Sequence, residues 1–368
     1  PRFWMHFLNV ALHAVNGLLV FWLARLIYGD TWGKDYFAFG AAVLFIAYPF
    51  SYQAIPFVGS LCHPLSTAFI LAALVAFMKT LESSSRHWAT LSILMAIIAP
   101  FAHENGALLF PLAMMLWMYK RGWTIKEKWL KWWPCSYLVV ALLFTALWLI
   151  VPKSRNSLKF SSPAEFLWKA AYFLQGLLHP VAPAGRYLQT GGITDVQAVM
   201  IVAGLSGLVF VPFFVWAKRL SLLLLSVLWF TVTVFPAWLL LPSGYVVDGA
   251  RLSYLGAVGS SFLWAALPAI LVSRTIVGKA GQAFLYMLLL TGIAWPGIKF
   301  VSERAVLYNI GGDFFNSLVS TISGQKGPVL IVNLPQWLAW QRMVFPIGRE
   351  GVMFIPGYTK PTDLVYIN

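Results

Sequence analysis

Charge is scarce in this sequence. Only 10% of its 368 residues are Asp, Glu, Lys or Arg, against roughly 25% in a typical soluble domain. Acids are the scarcest, with 12 Asp and Glu beside 26 Lys and Arg. A soluble globular enzyme is excluded, because a compact domain has too little interior for the apolar remainder. Cysteine is nearly absent. Cys62 and Cys135 are the 2 thiols, too few for a disulfide scaffold. Internal repeats and low-complexity tracts are missing, and so is the polar composition of a disordered chain. There is no Walker A sequence, dinucleotide fingerprint, zinc-protease motif or nucleophile elbow.

What fills the chain is apolar. Hydrophobic residues make up 60% of it, and the mean hydropathy is +0.76. The bilayer is the solvent that suits such a composition. Eighteen Trp and fourteen Tyr suit a protein with two wet–dry interfaces to line. The formal charge of +14 is explained by basic loops beside a membrane. Those basic residues are dispersed, so a nucleic-acid partner has no footprint.

Ten hydrophobic segments are read at 3–27, 36–50, 64–81, 88–102, 105–119, 134–151, 196–216, 220–241, 253–273 and 281–298. A full span needs about 20 apolar residues. The second, fourth and fifth are short, as segments beside a polar cavity often are. Short connections on one side carry Arg25, Lys34, Lys79, Arg86, Lys120, Arg121, Lys126, Lys128, Lys131, Lys218, Arg219, Arg274 and Lys279. The positive-inside rule places them in the cytoplasm. Both ends of the chain then lie outside, and the two thiols lie near opposite faces.

The connection 152–195 is too long for a turn. Within it, 163–178 has apolar residues at helical spacing and reads as an interfacial helix on the outer surface. Beyond residue 300 the pattern changes. Segment 302–323 reads as helix, and 329–334, 351–356 and 364–367 read as short strands. The expected architecture is an all-α polytopic membrane domain over 1–300, with about ten transmembrane helices. A small outer α/β appendage is expected over 301–368.

Ionisable groups at membrane depth are costly, so each needs a reason. His6, Asn9, His13 and Asn16 are spaced to share one stripe of the first helix. That stripe lines a cavity or bonds to a neighbouring helix. His103 and Glu104, in Ala102-His-Glu-Asn-Gly106, sit at an outer-facing break. A carboxylate there can bind a cation, orient a hydroxyl or act as a base; the alternative is a solvated turn. His63 precedes a first-turn Pro64. The six His form no spaced cluster with Cys or carboxylates, so no metal-ligand pattern is read. Arg251, in Tyr245-Val-Val-Asp-Gly-Ala-Arg-Leu-Ser-Tyr254, offers a planar fork for phosphate. Tyr254 lies a turn further on, and Asp248 is a local ion-pair partner in the plainer reading. His179 and Arg186 follow the interfacial helix, either at a lipid-headgroup entrance or as ordinary loop residues.

The order of these features resembles the GT-C superfamily of polytopic glycosyltransferases, which use polyprenyl-phosphate-linked sugars, in its O-mannosyltransferase-like branch. The likeness is carried by Phe3–Leu19 with its His-Asn-His-Asn register, by Ala38–Phe50 running to Ser66, by Pro100–Pro111 and by Arg251–Gly259. It covers about residues 1–260. It implies transfer of a sugar from a polyprenyl-phosphate donor to an acceptor at the outer face of a bacterial cytoplasmic membrane. It carries over Glu104, for structuring the site or binding a cation, and Arg251, for the lipid phosphate. Together with the residue readings above, Glu104 and His103 are the catalytic candidates, and Arg251, Tyr254, Asp248, His63 and Arg186 the substrate-binding candidates. A divalent cation, membrane lipids and protein partners within a membrane assembly fit the same reading. The departures are specific. Tyr48-Pro49 replaces the family's His-Pro turn, Gln53 an acidic position, Cys62-His63 a basic–acidic pair, and His103 the Lys of a Lys-Glu turn. The family's main acid belongs to a first outer loop, which the resemblance places upstream of Pro1. These departures keep a second expectation open, a non-catalytic subunit of a larger membrane assembly. A transporter or flippase of lipid-linked sugars ranks last, since no pseudo-symmetric halves are visible.

Overall fold

Where water is absent, a segment must satisfy its own backbone, and an apolar segment of sufficient length does so as a helix. The computed structural model describes residues 2–29, 33–121, 133–151, 162–189, 193–323, 329–332 and 364–367. Each of the ten apolar segments is helical over most of its length. Helix α1 runs Arg2–Tyr28, α2 Lys34–Ile46, α3 Cys62–Ser83, α4 Arg86–Ala102, α5 Leu109–Arg121 and α6 Cys135–Ile150. Then follow α7 Pro163–Leu177, the short α8 Gly185–Gln189, α9 Asp195–Trp216, α10 Leu220–Leu240, the short α11 Ser243–Asp248 and α12 Ala257–Ser273. Helix α13 spans Lys279–Ser323. Five helices (α1, α3, α9, α10 and α13) are long and apolar enough to cross a membrane. Helices α4, α6 and α12 are apolar but shorter.

The chain divides into two units, Pro1–Ile298 and Lys299–Asn368. In the second, β1 (Val329–Val332) pairs in parallel with β2 (Leu364–Ile367), Val329 opposite Leu364. The strand expected at 351–356 lies outside the described residues, as do Lys126, Lys128 and Lys131.

The first unit is built around α12. Its residues are buried almost without interruption from Ala257 to Ile270, and it packs against α2 and α10. Small residues allow the close approach. A Cβ on Gly259 would stand 2.5 Å from the Ser226 carbonyl of α10. Helix α4 lies along α3, and Ser92 and Ser66 of these helices bond to the Ala73 and Ala99 carbonyls across the seam. Tyr137 of α6 joins at Ser92, 2.6 Å away.

The outer surface is apolar. Leu142, Leu143 and Ile150 of α6, Leu205 and Leu208 of α9, and Trp4 and Phe7 of α1 are exposed. Helix α1 buries three of its polar groups instead. Asn9 and Asn16 are fully buried, and His13 is nearly so. This is the reverse of a soluble protein, and it marks an integral membrane protein.

Helix α1 orients the unit. Its last turns meet the basic end. Arg25 pairs with Asp35 at 2.9 Å, and Lys120 donates to the Leu26 carbonyl at 2.8 Å. Arg25, Lys34, Lys79 and Lys120 line one cavity of about 880 Å³ with Glu82, Trp22 and Trp88. The Arg219 guanidinium lies 4.5 Å from the Tyr28 ring. So the short basic connections that fall within the described residues gather at one end. The first turns of α1 meet the other end, where the irregular stretch between α2 and α3 lies.

Helix α7 begins as expected. Ser162 caps it by accepting from the Glu165 amide at 3.3 Å, with Pro163 in the first turn. The helix is tied to its neighbours rather than laid loosely beside them. Lys169 donates to the Leu241 carbonyl at 2.7 Å, Glu165 accepts from the Ser243 amide at 3.0 Å, and Trp238 donates to the Phe166 carbonyl at 2.8 Å. Hydrogen bonds from the Ser243 hydroxyl and then from its amide hold the Glu165 carboxyl below the ordinary range.

His179, just past α7, turns inward. It faces Tyr48 and the close-packed Gly297, and its Nε2 is buried without a partner. Burial lowers its pKa from 6.5 to about 4. The folded state therefore binds fewer protons than the unfolded chain between those values, and stability falls as pH drops through that window. We predict that His179→Gln removes this loss. In thermal unfolding of the detergent-solubilised protein, the wild-type curve should fall relative to the variant by up to about 1.4 kcal/mol per pH unit below pH 6.5. Parallel curves would refute it.

Candidate functional site

The site end is organised by the polar stripe of α1. Asn9 Nδ2 donates to the Ile55 carbonyl and Asn16 Nδ2 to the Pro64 carbonyl, each at 2.9 Å. His13 Nδ1 is 2.8 Å from the Tyr254 hydroxyl, and its Nε2 is 3.3 Å from the Ile46 carbonyl. These bonds pin both ends of the 46–64 stretch, which runs as turns and two short 3₁₀ segments. The stripe thus serves helix-to-loop bonding. His6, a turn before Asn9, is exposed and stands apart from it.

Tyr254 is 1% exposed. Its hydroxyl faces His13 and also accepts from Asn16 Nδ2 at 3.2 Å. The expectation that it faces a substrate beside Arg251 is therefore corrected. Burial against Phe45 and His13 makes it a brace. Arg251 itself remains half-buried at the surface. Its Nη2 donates to the Tyr245 hydroxyl at 2.9 Å, and its amide donates to Gln53 Oε1 at 3.2 Å. Gln53 stands where the family resemblance expects an acid, and here its amide oxygen fixes the turn that presents Arg251. The side chains of Asp248 and Arg186 lie outside the described residues. Their backbones belong to α11 and α8.

The turn after α4 carries the other candidates. His103 is extended, with φ −166° and ψ 147°, and its Nδ1 accepts from the Asn105 amide at 3.2 Å. The following 3₁₀ turn, Glu104–Leu108, folds back against α4. Gly106 makes this possible, because a Cβ there would come within 2.5 Å of Pro100 Cα and closer still to its nitrogen. Glu104 projects outward with its side chain 67% exposed, and its Oε2 is 3.8 Å from His103 Nδ1. Burial holds His103 below the ordinary histidine range, Glu104 pulls it back up, and the Arg251 charge lowers it again. Glu104 thus stands beside this imidazole, and the Arg251 charge is felt there.

His63 completes the group. It sits in the first turn of α3, 6% exposed, with its ring centroid 4.3 Å from that of His103. Cys62 adjoins it. The Cys62 thiol and the two imidazoles offer ligand atoms that all lie within 4.8 Å of one another. The expectation that no His clusters with Cys is overturned. Antiparallel packing of α3 and α4 places the start of one beside the end of the other, which spacing along the chain cannot reveal. The adjacent Cys62-His63 pair was the only local signal. Both thiols are free, and Cys135 begins α6 beside Trp133 and Ser136.

We predict that Gly106→Ala costs more than the roughly 1–3 kcal/mol of ordinary overpacking, because the added methyl meets backbone. Thermal unfolding in detergent checks this, and an unchanged midpoint would show that the turn does not rest on Pro100. Compared with known proteins, the chain matches no family model and no curated sequence.

Proposed function

We propose that this chain is a membrane glycosyltransferase that moves a sugar from a polyprenyl-phosphate donor to an acceptor hydroxyl at the site end of the first unit. The observation that carries the reading is an exposed carboxylate, Glu104, beside His103, at the same end of the unit as a half-buried guanidinium, Arg251, held by Tyr245 and Gln53. The resemblance in Pro100–Pro111 and Arg251–Gly259 supports it. The basic residues collected at the far end support an orientation with that end in the cytoplasm and the site outside, as in a bacterial cytoplasmic membrane. The exposed apolar faces of α6 and α9 give a lipid-linked donor a surface to approach along, and 301–368 forms a small outer α/β appendage.

The chemistry needs few groups. The Glu104 carboxylate takes the proton of the acceptor hydroxyl. The freed oxygen attacks the anomeric carbon as the bond from that carbon to the phosphate oxygen breaks. The polyprenyl phosphate leaves with the bonding electrons, and Arg251 steadies its charge through a planar fork of donors. Tyr245, already bonded to Arg251, positions that fork.

One observation favours a second reading, a non-catalytic subunit of a membrane assembly. Gln53 holds the place of an acid and spends its oxygen on the Arg251 amide, a structural use. Transfer assays with purified protein and polyprenyl-phosphate sugars decide between the two. Glu104→Gln and Arg251→Ala should each lower transfer by about 10²-fold or more while leaving the unfolding midpoint within a few degrees. Wild-type activity in both folded variants, or no transfer by the native protein with any such donor, would overturn the enzymatic reading.

A further inference from the structure

Three nitrogen and sulfur donors converge at the start of α3. Sγ of Cys62 and one ring nitrogen each of His63 and His103 lie within 4.8 Å of one another. Ligands around a tetrahedral zinc, with bonds of about 2.0–2.3 Å, stand roughly 3–4 Å apart, so small side-chain rotations close the set. The donors come from two rigid places. Cys62 and His63 open α3, and Pro64 and the Asn16 bond to its carbonyl fix that first turn. His103 is held extended by the Asn105 amide and by the turn that Gly106 permits. Among the described residues, no hydrogen-bond partner is seen on either ring nitrogen of His63. The two imidazole rings stand 4.3 Å apart between centroids, beside the Cys62 thiol.

We propose that Cys62, His63 and His103 form a Zn²⁺ site with three protein ligands and one open position. The donor set selects the metal. Magnesium, calcium and manganese prefer oxygen ligands, whereas one thiolate and two imidazoles suit zinc. Zinc would take the lone pair on His103 Nδ1 in place of the Asn105 amide, leaving the ring proton on Nε2. The site stands on its ligands alone and does not depend on the sugar-transfer reading.

The test uses the full chain in detergent. Metal-free protein is loaded with excess ZnCl₂, freed of unbound metal by gel filtration, and assayed by elemental analysis. About one zinc per chain is expected. Loading with Co²⁺ instead should give the intense visible bands of a tetrahedral site and a sulfur-to-cobalt charge-transfer band. Cys62→Ser should abolish the charge-transfer band. His63→Ala and His103→Ala should each weaken zinc binding at least tenfold in a chelator competition. Cys135→Ser should behave as wild type, and Glu104→Gln should retain the metal even where it loses transfer. Thermal unfolding without metal confirms that each variant is folded. Zinc well below one per chain in the native protein, or unchanged zinc in folded Cys62→Ser and His103→Ala variants, would overturn the proposal.

Discussion

The structure depends on one exchange of hydrogen bonds at membrane depth. Between α2 and α3 the backbone leaves the helical ladder and runs as turns, so its carbonyls need donors that a lipid environment does not supply. The amides of Asn9 and Asn16 supply them to Ile55 and Pro64, and His13 reaches Ile46. Without these side chains the stretch would carry bare carbonyls in the protein interior, each costing the desolvation of an unpaired polar group. With them, the stretch becomes a rigid floor. It sets where Cys62 and His63 begin α3, and through Gln53 it sets where Arg251 stands. Tyr254, clasped by His13 and Asn16, locks the start of α12 to the same floor.

The two ends of the first unit have different electrostatic characters because the bilayer sorts charge. At one end, Arg25, Lys34, Lys79 and Lys120 surround an open cavity, and their partners are exposed carboxylates and a helix-end carbonyl. At the other end the ionisable groups are few, partly buried and close together. Salt screens the first set and barely touches the second. The sparse acids of the sequence are therefore distributed by need. Asp35 and Glu82 temper the basic end, Glu165 anchors α7, and Glu104 is left projecting outward.

Much of this was legible in the sequence. Apolar runs give the helices directly, because a bilayer permits little else. The spacing of His6, Asn9, His13 and Asn16 gave a shared face that Asn9, His13 and Asn16 keep and exposed His6 leaves, and the apolar spacing of 163–178 gave α7. What the sequence hides is tertiary. His63 and His103 belong to different helices, and only the antiparallel seam of α3 and α4 brings their rings together. Tyr254 looked like a companion of Arg251 from local spacing. Its hydroxyl was claimed by α1, far away along the chain. His179 looked like a loop residue and instead fills a buried place beside Gly297. In each case a polar group was recruited by a distant element, which local periodicity does not encode.

Helices α2 and α5 have 13 residues each. At about 1.5 Å per residue they extend roughly 20 Å, well short of a hydrocarbon core of about 30 Å. The remaining thickness is occupied at the site end by turns rather than by helix. If water wets those turns in a membrane, the insulating slab would be thinner there, and a transmembrane voltage would fall across a shorter distance.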